Sequence, residues 1–223
     1  MEKNSRIVVI SPHLDDEVLG LGGSISKLAK EGHEVFVIFA AYRKYKNKIN
    51  KKRIELDRKK AIKAQKILGY KKAIFLNLED EALHSNFNIL LSKLEREIGK
   101  INPSHLFCCF SQDNNQDHRT IYNVARIIFR WTSGIENVYL YETPSSTEMS
   151  PSYQSNLFVP NLFIDISNHI DKKISALKCY DNELKIFPHA RSVEGVKTYA
   201  KFRGMSCGLK NAEAFMVLRS TIK

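Results

Sequence analysis

Near its start the chain runs Arg6-Ile7-Val8-Val9-Ile10, is halted at Pro12, and passes at once into His13-Leu14-Asp15-Asp16-Glu17. Gly20-Leu21-Gly22-Gly23 follows, and the spacing predicts a helix over 24–30. A short run that is apolar at every position suits a strand covered on both faces. A strand handed through a short loop to a helix is the first half of a βα unit, which limits the fold to a sheet with helices on its faces. The loop itself is electrostatically expensive. Like charges side by side repel unless a cation or a proton sits between them. One imidazole and three carboxylates within five residues therefore suit a metal site. They also suit a solvated acidic turn, because Asp and Glu favour the positive end of a helix dipole. Composition alone leaves both readings open.

The rest of the chain repeats the same alternation. Strands are expected at 35–41, 73–76, 106–110 and 138–141, with helices at 53–68, 89–98 and 120–131 between them. Gly69 is a natural stop for the second helix, and Asn102-Pro103 for the third. Further on, 162–166 and 214–218 read as strands, 172–184 and 197–202 as helical. The βαβαβ rhythm predicts a Rossmann-like three-layer α/β/α fold with a mostly parallel central sheet, whose C-terminal part completes the cleft. The glycines after Glu17 do not have Gly-x-Gly-x-x-Gly spacing, and acids fill the turn where a pyrophosphate would sit, so a dinucleotide site is excluded. No repeat or linker divides the chain, which reads as a single domain over 1–223. The Ser- and Pro-rich stretch 144–160 is long enough to act as a lid.

Charge is concentrated in one place. Residues 42–72 hold fourteen Lys and Arg against Glu55 and Asp57, leaving −1 for the rest of a chain whose total is +11. Such a stretch is either a solvated helix face or a surface that attracts phosphate-bearing substrates, a membrane surface or nucleic acid. Tyr42, Tyr45 and Tyr70 are its only aromatics, too few for base stacking, so no stable nucleic-acid partner is expected. No apolar run reaches the roughly 18 residues of a membrane span. Cys108, Cys109, Cys179 and Cys207 form no Cys-x-x-Cys pair and read as reduced thiols of a cytoplasmic protein.

The segment Pro12-His13-Leu14-Asp15-Asp16-Glu17, with Gly22-Gly23 after it, resembles the His-Pro-Asp-Asp-Glu signature of the LmbE-like (PIG-L) zinc-dependent N-deacetylases. Leu14 replaces the signature proline. That family's second signature, His-x-Asp-His, is matched by Asn115-Gln116-Asp117-His118, with Asn115 where the first histidine belongs. Leu68-Gly69, Tyr141-Glu142-Thr143-Pro144, Pro188-His189-Ala190-Arg191-Ser192 and Arg203-Gly204 also look family-like, so the resemblance runs over nearly the whole chain.

The resemblance implies hydrolytic removal of an acetyl group from an N-acetylglucosamine-type glycoside, glycolipid or glycan precursor. His13, Asp16 and His118 would be the metal ligands and Asp15 the general base. Two histidines, one aspartate and a water suit zinc, and the same set suits ferrous iron. The donor opposite the base would be either Asn115, a neutral amide, or the imidazole of His189. Asp117 and Glu17 would orient their neighbours. Asp80, in the Glu79-Asp80-Glu81 cluster at a strand's carboxyl end, is placed to grip a sugar hydroxyl or simply to solvate a turn. Arg191 and Arg203 would clamp substrate or form structural ion pairs. A repurposed, non-catalytic glycan-binding member is the competing reading, and the oligomeric state stays open.

Overall fold

The structure is a computed structural model that describes residues 4–44, 49–130, 134–151, 153 and 157–221. Tyr45, Lys46 and Lys48 of the basic stretch lie outside the described residues. So do Trp131, at the end of an expected helix, and residues 152 and 154–156 of the Ser/Pro-rich loop.

Seven strands and six α-helices, with short 3-10 turns between them, follow one another in the described chain. They are β1 (Arg6–Ser11), α1 (Asp16–Lys30), β2 (Glu34–Tyr42), α2 (Lys51–Leu68), β3 (Lys72–Glu79) and α3 (Phe87–Ile101). After these come β4 (His105–Cys109), α4 (Gln116–Ile128), β5 (Asn137–Tyr141), β6 (Leu162–Asp165), α5 (Ile170–Leu177), α6 (Val193–Met205) and β7 (Ala212–Arg219). The strands form one sheet in the order β3-β2-β1-β4-β5-β7-β6. β1 to β5 are parallel, and β7 runs antiparallel between β5 and β6. The expected mostly parallel sheet is thus present, with an antiparallel edge built by the two C-terminal strands.

Burial explains the strand composition. Ile7 to Ile10 are at most 1 % exposed, and every residue of β4 and β5 is buried. Cys108 and Cys109 belong to that core, where burial raises both thiols. Helix ends follow their local chemistry. Asn50 caps α2 by accepting from the Arg53 N–H, and Gly69 closes it at φ 83°, as its sequence position foretold. Ser192 caps α6 in the same way, accepting from Gly195.

Two elements differ from expectation. α1 begins at Asp16, not at residue 24, so the glycines lie inside the helix. They are there because the helix presses on the sheet. A Cβ on Gly20 would meet Tyr141 Cδ2 at 2.5 Å, and one on Gly23 would meet Ile166 Cγ2 at 2.7 Å. The helix is also broken at Leu21 (φ −146°). There the buried Glu213 carboxylate accepts the N–H groups of Gly23 and Ser24, while Lys173 Nζ donates to Glu213 (2.5 Å) and to the Leu19 carbonyl (2.8 Å). The expected helix over 172–184 ends instead at Leu177, and the chain turns through a 3-10 segment, Lys178–Tyr180.

Candidate active site

Strand order reverses between β1 and β4, because β2 and β3 lie on one side of β1 and β4 and β5 on the other. In open α/β sheets a crevice opens beyond the carboxyl ends of the strands at such a point. Both motif loops start there, one from β1 and one from β4.

The two loops converge on Asp16. Its Oδ2 lies 3.1 Å from His13 Nδ1 and 3.2 Å from His118 Nε2. One donor atom from each of His13, Asp16 and His118 can be chosen so that all lie within 4.8 Å of one another. Asp16 is fully buried, yet its Oδ1 has no hydrogen-bond partner. A buried, ionised oxygen without a partner is costly. Two imidazoles, a carboxylate and that orphaned oxygen together fit a divalent cation. Burial opposes ionisation of Asp16, but the charges and hydrogen bonds of His118 and His13 hold its carboxyl well below the usual range. Burial likewise opposes the two imidazolium forms. Bonds to Asp117 and Asp16 still raise His13 to about 10, and Asp16 and Asp113 raise His118 to about 9.

Each histidine has a second carboxylate behind it. Asp117 Oδ2 lies 3.2 Å from His13 Nε2, and it also accepts the Glu81 and Leu83 N–H groups. Asp113 Oδ1 lies 3.3 Å from His118 Nδ1. Asp113 in turn receives the hydroxyls of Ser146 and Thr147 and the N–H of Asn115. The first part of the 144–160 stretch is therefore buried framework beneath His118 rather than a cover over it.

Asp15 is buried beside these groups, at φ 103°. Burial pushes its carboxyl up to about 7, although Arg191 Nη1, 3.2 Å from Oδ2, works the other way. The Asp15 N–H donates to Glu17 Oε2 (3.1 Å), and Glu17 Oε1 accepts the Tyr180 hydroxyl (2.6 Å). Glu17 is fully buried, which pushes it up to about 8. Arg191 also reaches Ser145 Oγ (2.5 Å) and Glu183 Oε2 (3.6 Å), and Glu183 pairs with Arg43.

Asn115 caps α4, its Oδ1 accepting the Asp117 N–H at 2.8 Å. His189 is exposed, and its Nδ1 accepts the Arg191 N–H. Asp80 accepts the Lys44 N–H and faces a cleft shared with His13, Lys60, Tyr180 and Asn182. Arg203 on α6 makes a two-pronged pair with Glu142 just after β5 (2.7 and 2.5 Å), the structural ion pair named as one of its two roles.

Asp113 and Tyr180 carried no role in the sequence reading. An acid just beyond a buried strand was a usable signal for Asp113, the same one that singled out Asp80. Nothing local marks Tyr180, whose contact with Glu17 spans 163 positions.

A family profile described as PIG-L, GlcNAc-PI de-N-acetylase, matches residues 8–129. The uncharacterized deacetylase YaiS of Escherichia coli (strain K12) is 30% identical over 182 residues, spanning 79% of this chain and 90% of that protein. The N,N'-diacetylchitobiose deacetylase of Pyrococcus horikoshii superposes with a TM-score of 0.76 at 20% identity, covering 96% of this chain and 84% of its own. GalB of Pseudomonas putida KT2440, a 4-carboxy-2-hydroxymuconate hydratase, superposes at 0.75 with 19% identity, covering 98% of each. These two likenesses bear on the fold.

Proposed function

The chain belongs to the PIG-L family, and on that premise we propose that it hydrolyses the N-acetyl amide of an acetamido sugar, releasing acetate and a free amine. The family description names an N-acetylglucosamine conjugate, and a fold neighbour is a deacetylase of diacetylchitobiose. Because the same fold also carries a hydratase, the reaction has to be argued from the site. The observation that carries it is the grouping of His13 with the buried Asp16 and His118, and the buried Asp15 carboxyl alongside, paired to Arg191. Those three residues would hold a divalent cation, zinc or ferrous iron. A cation there lowers the pKa of water towards about 7 and polarises the acetamide carbonyl.

The chain's own groups do the rest. Asp15 accepts the proton of the attacking water and returns it to the departing amine nitrogen. Its buried position, with a carboxyl near 7, suits both directions of transfer. Asp117 and Asp113 hold the two imidazoles in orientation. Asn115 spends its carbonyl oxygen on the α4 cap, so only its NH2 remains to donate to the developing oxyanion. His189, on the loop whose Arg191 reaches Asp15, is the alternative donor. Asp80 and Asn182 face the cleft where sugar hydroxyls would lie.

The whole chain acts as one deacetylase domain in this reading. Its setting is the cytoplasm, supported by the core burial of the free thiols Cys108 and Cys109. Among the described residues no helix is long and apolar enough to cross a membrane. Lys51, Lys52, Lys59, Lys63 and Lys66 are exposed on α2, and they would draw phosphate-bearing substrates or a membrane surface to the cleft.

Metal analysis together with an acetate-release screen over acetamido sugars tests the proposal. About one zinc per chain, and a fall of at least ~100-fold in kcat for Asp15→Asn with its metal retained, are expected. A metal-loaded chain with no turnover on any acetamido sugar would support the glycan-binding alternative. Full activity in Asp15→Asn would remove Asp15 as the base.

A further inference from the structure

Asp15 sits in an uncommon backbone state. Its φ of 103° and ψ of −27° place a non-glycine residue in left-handed space, at the junction of the β1 loop and α1. Such a conformation persists only where its surroundings hold it. On the carboxyl side, the Asp15 carbonyl accepts the N–H groups of Val18 and Leu19 and so becomes the first turn of α1. On the amino side, its N–H donates to Glu17 Oε2. Glu17 is itself only two residues away and wholly buried, so its rotamer is set by whatever holds its other oxygen. That partner is the hydroxyl of Tyr180, 2.6 Å from Oε1.

From this chain of contacts we infer that Tyr180 is a positioning residue for Asp15. Its hydroxyl fixes the Glu17 carboxylate, and the carboxylate fixes the left-handed peptide that sets Asp15 beside Arg191 and next to Asp16. The inference rests on the deacetylase reading for its effect on rate, though not for its effect on the loop. Tyr180 comes from the 3-10 turn after α5, outside the stretch matched by the family profile. The ring is 3 % exposed and lines the cleft next to His13. The shorter α5 serves this contact, because the 3-10 turn at Lys178–Tyr180 is the segment that carries Tyr180 to Glu17.

Tyr180→Phe keeps the ring and removes only the hydroxyl. In the zinc-loaded full-length chain, kcat is expected to fall about tenfold or more, since small misplacements of a reacting group cost that much. KM should stay within about twofold, because the ring wall is unchanged. Zinc content should be that of the unaltered protein. Amide hydrogen exchange is the second readout. The peptide covering 13–18 should exchange about tenfold faster in Tyr180→Phe, while peptides of β4 and α2 do not change. Glu17→Gln, which keeps one acceptor oxygen and replaces the other by an NH2, should fall between the two proteins in both readouts.

Unchanged exchange over 13–18 in Tyr180→Phe would overturn the inference. A raised KM with unchanged kcat would overturn it too, since Tyr180 would then be a substrate contact only. The two proposals fail separately. Absence of acetate release from the unaltered chain defeats the deacetylase reading, and the exchange measurement still decides the role of Tyr180.

Discussion

Asp113 gathers four contacts on one buried carboxylate: the Ser146 and Thr147 hydroxyls, the Asn115 N–H and the edge of the His118 ring. Burial opposes its ionisation, but the bonds from His118, Ser146 and Thr147 hold it below the usual carboxylate range. A negative oxygen fixed behind an imidazole sets which nitrogen faces forward and how basic that nitrogen is. Asp113→Ala should therefore weaken zinc binding about 10- to 100-fold in a competition titration against a chromogenic chelator. Zinc affinity within about twofold of the unaltered protein would show that His118 needs no such support. At Asn115, two demands meet in one residue. Its side-chain oxygen closes α4, and only its amide hydrogens remain for chemistry.

The element under most constraint is α1. Its first turn carries Asp16 and Glu17, and its glycines let it lie against Tyr141 and Ile166. Between them the helix breaks at Leu21. It leaves backbone donors at Gly23 and Ser24, which Glu213 accepts from β7, and Lys173 on α5 neutralises Glu213. Three elements distant in sequence thus meet at a buried ion pair only 5 % and 3 % exposed at its side chains. Removing one partner of such a pair leaves a bare buried charge. Lys173→Met should lower stability by about 3–5 kcal/mol in urea unfolding, and adding Glu213→Gln should recover part of the loss. If the double variant is no more stable than Lys173→Met, the pair does not act as a unit.

Across the whole molecule, the site ties together two loops that the fold brings from opposite sides of the switch point. The carboxylates of Asp16, Asp113 and Asp117 and the imidazole of His118 are buried around the partly exposed His13, and the orphaned Asp16 oxygen leaves the arrangement short of one positive partner. A cation bound there stabilises the folded state by mass action, about 2.7 kcal/mol at a hundredfold excess over its dissociation constant. The melting temperature should rise with added zinc after chelator treatment, and the rise should vanish in Asp16→Asn. A zinc-independent melting temperature in the unaltered protein would mean that these groups do not hold the ion. The basic stretch is a separate matter. Several of its charges are paired, Lys60 with Asp181, Arg58 with Glu55 and Lys71 with Glu34, so part of its excess is surface structure.

The alternation of short apolar runs with amphipathic stretches was enough to read a mostly parallel sheet, because burial on both faces leaves a local mark on every strand. The His13 to Glu17 cluster was legible for a similar reason: adjacent carboxylates beside an imidazole need neutralising wherever the chain goes. Helix caps such as Asn50, Gly69 and Ser192 follow from one or two residues. Tertiary structure alone decided that α1 starts at Asp16 and breaks at Leu21, that Asp113 stands behind His118, and that Tyr180 reaches Glu17. Each of these depends on groups far apart in sequence meeting in a low-dielectric interior, where a partner's identity is set by packing and leaves no periodic trace along the chain.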